Sequence, residues 1–523
     1  MGGPGLSLGA SERSPAVILG VATGCILLLA LPGRTVTAAF INDVFIFLDG
    51  AHRIVSGQVP NRDFHTALGP LAFYIPAAGL NVSSNFGAAL PIGMALSILA
   101  ALPALLWVLG SRLAPLLATV LGIFLILLLA VPTNLGAPIE RLSFAMFYNR
   151  VGWSALALLL VMYLPRRKWS RFGDLADATA ASFLVLVQLY TKATYGIVSV
   201  GFLLFLLLDR GHRKWTTWAT LVTIFAILVV ELLWGGTRQH VKDIMDASRV
   251  SGGRGLWGLA QSAFRNLADL SVFALAVGCS LWITRSLKDF VFFGFCAFAG
   301  LLIISQNAHG WGIITLYAGL AVAAEQARRK DHLAIGDGTG IPPSRLAAGL
   351  PLILVFMALP PAAHHGTSLI LHARLAMTNS GTSIGLPHLR DVRTLEPQGG
   401  GAAFIRQYIQ SINSGGALLQ SLPERPSRVL VLDFSNPFSA GLDLTPPRGD
   451  SVWMHWGRNV NSEMHPAPEA LFADVNIVMI PKIGINSVPL QELYRPFVER
   501  EFALLTETRE WTLYQRRQTG AAE

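Results

Sequence analysis

Between Phe40 and Tyr74 the chain reads FINDVFIFLDGAHRIVSGQVPNRDFHTALGPLAFY, which packs Asp43, Asp49, His52, Arg53, Arg62, Asp63 and His65 into one short loop. Carboxylates, imidazoles and guanidinium groups this close supply what displacement of an anionic leaving group needs: a base and nearby positive charge. The sequence around the loop is apolar, and charge placed beside a bilayer is costly enough to mark a site. From Ile41 to Ser56 the spacing fits an amphipathic helix. At about 100° per residue, Val44, Phe47, Leu48, Ala51, Ile54 and Val55 share one arc. Asn42, Asp49, His52, Arg53 and Ser56 share the opposite arc, and Asp43 falls at the edge between the two. A helix lying in the interface would hold Asp43 at headgroup depth. Partial desolvation there raises the basicity of a carboxylate, so that it accepts a proton from a hydroxyl nucleophile. The plainer account is that Asp43 caps the helix or pairs with Arg53 or Arg62.

Other polar groups interrupt apolar runs further along. Phe147–Trp153 (FYNRVGW) holds Tyr148, Asn149 and Arg150. Tyrosine and tryptophan are ordinary interfacial residues, whereas a guanidinium on the outer side has no topological rationale and suits bidentate phosphate recognition. Lys192, in LYTKATYG, either snorkels to the surface or faces a cavity and holds an anion; the cavity is favoured. Gln306, Asn307 and His309 either bind hydroxyls or satisfy helix ends. In the tail, Trp453, His455, Trp456, Arg458 and His465 form an aromatic and polar group suited to sugar stacking, although burial in a core is the commoner fate of such tryptophans. Asp49, His52 and Asp63 invite a metal, yet nothing completes the ligand set. A divalent metal is therefore allowed but not favoured, and no other cofactor is indicated. HExxH, CxxC and Walker A motifs are absent, and GxSxG at 5–9 and 381–385 lacks the strand-to-helix context of a nucleophile elbow.

The elements that must position these groups follow from composition. The chain has 523 residues, of which 52% are hydrophobic and 14% charged, against roughly 25% charged in soluble domains. Mean hydropathy is +0.51, as expected of an integral membrane protein. The net charge of +9 comes in short bursts between apolar runs. Such bursts indicate topology and contact with anionic membrane lipids, and they exclude a continuous nucleic-acid face. Cys25, Cys279 and Cys296 lie in apolar runs, so neither a disulfide framework nor a thiolate metal site is expected. The N-terminal apolar run lacks a strongly basic leader and a good cleavage site, and it reads as an uncleaved first span.

Candidate spans fall near 15–34, 87–109, 113–132, 151–165, 176–191, 194–209, 216–235, 268–285, 290–305, 309–325 and 345–362, about eleven in all. The bursts at Arg166-Arg167-Lys168, Arg210 with Arg213-Lys214, Arg285 with Lys288, and Arg328-Arg329-Lys330 are expected to be cytoplasmic. All four agree only if residues 69–82 stay outside as a re-entrant or interfacial piece. The N-terminus is then inside and everything after about residue 362 outside. With that orientation the outer loops (35–86, 133–150, 192–193, 236–267 and 306–308) hold nearly every unusual polar group, including Glu140-Arg141. Residues 1–362 are read as the multi-span domain, 363–400 as a connector, and 401–523 as a small C-terminal α/β domain on the outer side. Its strand patterns are Arg428–Phe434 and Asn476–Pro481, its helix Gln491–Glu501, and Phe502–Arg516 closes it as a hairpin around Thr506-Glu507-Thr508.

This arrangement resembles the GT-C superfamily of membrane glycosyltransferases, which use polyprenyl-phosphate sugars. In that group an acidic residue follows the first span on a helix along the membrane, and many bacterial members continue with a loose Gly, Pro, Asp, Pro, Tyr run. Here the run reads Gly57-Gln58-Val59-Pro60-Asn61-Arg62-Asp63, then Gly69-Pro70-Leu71 and Tyr74. The resemblance implies a GT-C-like polytopic fold in a bacterial inner membrane, with the N-terminus cytoplasmic and the C-terminal domain periplasmic. It implies a hexosyl- or pentosyltransferase acting on a polyprenyl-phosphate-linked sugar and a glycan, lipid or protein acceptor. Asp43 would be the base, Arg150 and Lys192 would hold the lipid phosphate, and Asp49, Arg62, Asp63 and His65 would shape the pockets. Many members carry two adjacent acids where this chain has Asn42-Asp43, which weakens the case for an obligatory metal. The rival readings are a polymerase, ligase or flippase for lipid-linked glycans, and a non-catalytic subunit of an envelope assembly.

Overall fold

The apolar runs fold as helices, and the polar loop after the first of them becomes the floor on which the C-terminal domain rests. The computed structural model describes residues 10–252, 255–306, 312–336, 345–396 and 402–517. The first part contains α1 (Ala10–Ala30), α2 (Ile41–Val55), α3 (Leu71–Ser83), α4 (Phe86–Arg112), α5 (Pro115–Ala130), α6 (Phe147–Val161), α7 (Gly173–Thr191) and α8 (Ala193–Leu208). It continues with α9 (Arg213–Trp234), α10 (Thr237–Ser251), α11 (Leu256–Arg265), α12 (Leu267–Thr284), α13 (Leu287–Ser305), α14 (Ile314–Gly336) and α15 (Arg345–Met377). Helices α4, α9, α12, α13 and the stretch of α15 from Gly349 are long and apolar enough to cross a bilayer; α3, α5, α6, α8 and α1 from Ser14 are shorter apolar helices. On α9, Leu221, Phe225, Leu228 and Leu232 point outward and stay uncovered. A contiguous apolar face of this kind suits lipid and not water. The protein is a multi-pass membrane protein.

Two helix boundaries depart from the hydropathy pattern. Helix α6 starts at Phe147, so Tyr148, Asn149 and Arg150 form its first turn and do not belong to a loop. Helix α15 runs on to Met377, beyond the expected connector boundary at 362. Its three prolines and the polar His365 and His372 depress hydropathy, yet both histidines are buried where α15 packs on α5 and α14. Neighbouring helices tolerate proline in such a setting.

Charge clusters at one end of the bundle. Arg112 and Arg166 both pair with Asp177 (2.8 and 2.7 Å), Arg166 also pairs with Asp174 (2.7 Å), and Arg329 pairs with Glu325 (2.9 Å). Lys288 and His212 both contact Asp209. Helix α7 starts among these pairs at Gly173 and ends beside Lys192, about 28 Å away at 1.5 Å per residue. The basic bursts and the polar residues of the first loop therefore occupy opposite ends of the bundle.

Two sheets complete the fold. In the first, β1 (Thr35–Thr37) pairs in parallel with β3 (Val392–Thr394), and β2 (Thr382–Ser383) pairs antiparallel with β3. The segment read as a connector is thus stitched to the start of the first loop. The second sheet has the order β4-β5-β7-β6, from β4 (Val429–Val431), β5 (Ile477–Pro481), β6 (Phe502–Glu507) and β7 (Trp511–Arg516). Strands β4 and β5 run parallel, and β6–β7 is a hairpin. With α16 (Ala402–Gln420), the short α17 (Phe438–Leu442) and α18 (Pro468–Leu471), and α19 (Ser487–Glu501), this is the expected small α/β domain.

Candidate functional site

Helix α2 carries the site's central acid. Its apolar arc packs on α3, where Gly50 lies so close to Phe73 that an added Cβ would meet the ring at 2.2 Å. Its polar arc is also covered. Asp49 and Arg53 are fully buried and His52 nearly so, because the C-terminal domain lies over them. The helix is therefore enclosed between two domains, which corrects the expectation of an amphipathic helix with one wet face.

Arg53 anchors the contact. Its Nε donates to Asp49 Oδ2 (2.7 Å), while Nη1 and Nη2 make a bidentate pair with Asp450 (2.7 and 2.8 Å). Nη1 also donates to the Pro447 carbonyl (3.0 Å), and the guanidinium sits 5.4 Å from the Phe64 ring centroid. His52 Nε2 donates to the Leu444 carbonyl (2.9 Å), and Gln58 Nε2 to the carbonyls of Pro446 and Pro447 (3.0 and 3.1 Å). Asp63 receives Arg448 (2.7 Å), and its carbonyl accepts the Gly449 N–H (2.7 Å). On the outer surface of the first loop, His65 Nδ1 faces Asp243 of α10 (3.2 Å) and Arg62 donates to the Trp234 carbonyl (3.3 Å). Asp49, Arg62, Asp63 and His65, which the resemblance would place around the substrate pockets, are thus engaged in holding the first loop to α9, α10 and the C-terminal domain. Their neighbours His52 and Arg53, expected to bind substrate with them, are engaged in the same way.

Asp43 is different. Its carboxylate has no hydrogen bond and no ion pair among the described residues, and the N-terminus of α2 has no side-chain cap. Neither plainer account of Asp43, as cap or as partner of Arg53 or Arg62, is realised. Burial without compensation pushes its pKa up from 3.8 to about 7. Its charge is felt at Tyr148 of α6 and at Tyr408 of α16, one hydroxyl from each domain.

Below Tyr148 the first turn of α6 continues the site. Lys192 Nζ lies 3.4 Å from Asn149 Oδ1 and 5.7 Å from the Tyr148 ring centroid. Lys192 sits in an extended break between α7 and α8, reached by the first loop at Gly69, whose N–H donates to the Thr191 carbonyl (3.2 Å). A side chain at position 69 would strike Tyr190 O at 2.2 Å, so this close approach needs glycine. Arg150 is 1% exposed; Nη1 donates to the Thr133 carbonyl (2.9 Å), and Nε and Nη2 have no partner among the described residues. Asn149 Nδ2, Ser154 Oγ and Tyr195 OH are likewise buried without partners among them. Sequence reasoning missed Ser154, Tyr195 and Tyr408, which lie singly within helices and carry no local signal.

Gln306 accepts a hydrogen bond from Thr194 (2.8 Å), two residues beyond Lys192, and Asn307 and His309 lie outside the described residues. No group of three metal-ligating side chains occurs among the described residues. A surface groove lined by Pro387, His388, Leu419 and Leu444 lies in the C-terminal half, and none of Asp43, Tyr148 and Lys192 lines it.

No family model and no curated protein matches the chain. Solved structures do align with it. ArnT from Cupriavidus metallidurans matches in its apo state at 10% identity with a TM-score of 0.46, over 96% of this chain and 98% of that one. The same protein bound to undecaprenyl phosphate matches at 12% identity and a TM-score of 0.46, with the same coverage. The arabinofuranosyltransferase AftD from Mycobacteria matches at 15% identity and a TM-score of 0.41, over 96% of this chain and 40% of that one. At these scores and identities the likeness is one of chain course, and the chemistry is read from the residues themselves.

Proposed function

We propose that the protein transfers a hexosyl or pentosyl group from a polyprenyl-phosphate donor to an envelope glycan, lipid or protein acceptor, on the periplasmic face of the bacterial inner membrane. The observation that carries this is Asp43: a half-buried carboxylate with no partner among the described residues, whose pKa desolvation pushes up to about 7, on a helix at the end of the bundle opposite the basic bursts. A base with that pKa accepts a proton most effectively near neutral pH. Asp43 takes the proton from the acceptor hydroxyl, whose oxygen then attacks the anomeric carbon of the donor sugar. The bond from that carbon to the phosphate oxygen breaks, and the phosphate leaves with the bonding pair. Lys192 meets the charge that develops there, and Arg150 deepens the positive potential below it. The lipid tail fixes the phosphate at headgroup height, which is also where a hydroxyl bound beside Asp43 would lie.

The test is transfer from a panel of radiolabelled polyprenyl-phosphate sugars by wild type and Asp43→Asn in nanodiscs. Donor turnover that vanishes in a folded Asp43→Asn protein is the expected result. Equal turnover by both proteins would remove Asp43 as the base. Silence of the wild type with every donor and acceptor extract would overturn the enzyme reading.

A further inference from the structure

The link between two membrane-crossing helices is itself folded, and much of its surface is bare. Helix α9 ends at Trp234 and α12 starts at Leu267, and both are long and apolar enough to cross a bilayer. At the start of α9, Lys214 pairs with Asp174 among the basic bursts (2.8 Å). At its far end, Trp234 Nε1 donates to the Pro60 carbonyl of the first loop (2.8 Å). Helices α10 and α11 join that end of α9 to α12, so covalent continuity sets them at the bilayer surface. Leu232 and Leu233, at the end of α9, and Leu267, at the start of α12, are all uncovered.

One side of α10 is taken up by protein. Asp243 accepts from Asn61 Nδ2 (2.8 Å) and from the Thr66 N–H (3.0 Å), and His240 is buried with its ring centroid 6.0 Å from that of Trp234. The other side has nothing on it. At about 100° per residue, Val241, Met245, Arg238, Arg249 and Lys242 fall in one arc, and all five are exposed. Arg249 makes only a loose pair with Asp246 (3.7 Å), and Arg238 and Lys242 make none among the described residues. Helix α11 packs on α13 and leaves Trp257 and Phe264 outward, each 73% exposed, with Arg265 exposed beside them.

Uncovered apolar side chains bordered by cations suit the boundary between headgroups and acyl chains better than water. Tryptophan is enriched at that boundary, and lysine and arginine reach from it towards phosphate. We propose that the exposed faces of α10 and α11 form a docking surface for anionic phospholipids. Arg238, Lys242 and Arg249 meet the headgroups, and Trp257 and Phe264 enter the upper acyl chains. Two observations select this occupant over a protein: the helices adjoin the lipid-facing ends of α9 and α12, and the cations lack close partners of their own. An anionic headgroup answers that charge, whereas a zwitterionic one cancels its own. Held by lipid on one side and by Asn61 and Thr66 on the other, α10 lets membrane charge steady the loop that follows α2.

The test uses the full chain in nanodiscs that hold a single copy, made from phosphatidylcholine alone or with phosphatidylglycerol, and reads amide exchange across α10. Exchange at residues 241–249 is expected to slow at least about 5-fold with phosphatidylglycerol, the effect of one cation at an anionic surface. A variant carrying Arg238→Gln, Lys242→Gln and Arg249→Gln, all on the exposed arc, should keep the wild-type fold and lose that difference. Equal exchange in the two lipids, or a difference that the triple variant keeps, would overturn the proposal. The apolar half has its own readout. Comparison of wild type with Trp257→Phe isolates the emission of Trp257, which lipid brominated high on its acyl chain should quench. Emission untouched by such lipid would place Trp257 away from the acyl chains and overturn the assignment of α11. Both readouts hold whether or not the protein turns over a sugar donor.

Discussion

Asp43 and Asp49 stand six residues apart on one helix, and only Asp49 meets a cation. Asp49 meets Arg53 at 2.7 Å through one oxygen, and Arg53 in turn grips Asp450 of the C-terminal domain, so the three groups are joined out of water. Burial still raises the Asp49 carboxyl above its ordinary value, against the pull of Arg53, and its Oδ1 has no partner among the described residues. Asp43 has no such partner among the described residues, and its carboxyl is pushed up to about 7. A buried charge that is matched holds structure together. A desolvated acid that is unmatched keeps its proton closer to neutral pH and stands ready to exchange it. The C-terminal end of α2 is a clamp between domains, and its N-terminal end carries the acid proposed as the base.

The largest effect that separates the two ends is on turnover at Asp43. Asp43→Asn is expected to lose about 10²- to 10⁴-fold in kcat while keeping the far-UV spectrum and elution volume of the wild type. Substitution at the other end strikes the fold. Arg53→Ala leaves Asp49 and Asp450 buried without their cation, a loss of about 3–5 kcal/mol. It should appear as a lower Tm and as faster amide exchange across residues 446–452. Unchanged protection there would show that the clamp is not what joins the domains.

The pH dependence sharpens the same contrast. With its carboxyl near 7, Asp43 is a base only when ionised, so kcat/KM should rise with pH to about 7 and level off above it. Stability runs the other way. The folded protein holds this proton more tightly than the unfolded chain, whose carboxyl titrates near 3.8. The stabilising contribution of the protonated form is therefore lost as pH rises from about 4 to about 7. Asp43→Asn should lack both the activity limb and that decline, and its Tm above pH 7 should equal or exceed that of the wild type. A wild-type activity limb that persists in the residual activity of Asp43→Asn would point to another group.

Much of this was legible in the sequence and some was not. The apolar runs, the α/β tail, and the concentration of polar groups at one end all follow from hydropathy and spacing, because each is set within some twenty residues. Asp43 was legible as the acid at the edge of the apolar arc of α2. The fate of Asp49, His52 and Arg53 was not, since their partners, Asp450 and the carbonyls of Leu444 and Pro447, lie about 390 residues away. A local pattern shows that a polar face exists, but not whether water, substrate or another domain will cover it. The β1–β3 pairing was missed for the same reason: its strands are three residues long and only mutual pairing defines them. Tyr408 and Tyr195 read as ordinary core aromatics until the fold brought them to the site.

The smallest effect belongs to the outer edge of the first loop, where α10 lies across it. Asp243 accepts from the Thr66 N–H (3.0 Å), Asn61 Nδ2 (2.8 Å) and Gln239 Nε2 (2.7 Å), and faces His65. Burial works to raise its pKa, but these bonds outweigh burial and hold it below the ordinary carboxylate value. The stabilisation is therefore present above the ordinary value and is lost as pH falls through the lowered one. Because His65 is partly exposed, the pair itself adds at most about 1 kcal/mol, and the bonds from Asn61 and Thr66 supply the rest. Asp243→Asn should cost about 1–2 kcal/mol, read as faster amide exchange in α10 at neutral pH, with the gap from wild type closing in acid. Because the clamp at Arg53 does not involve α10, exchange at residues 446–452 should stay as in the wild type. Loss of protection at both places would mean that the first loop is held as one cooperative unit, and that the division of α2 into clamp and site is drawn too sharply.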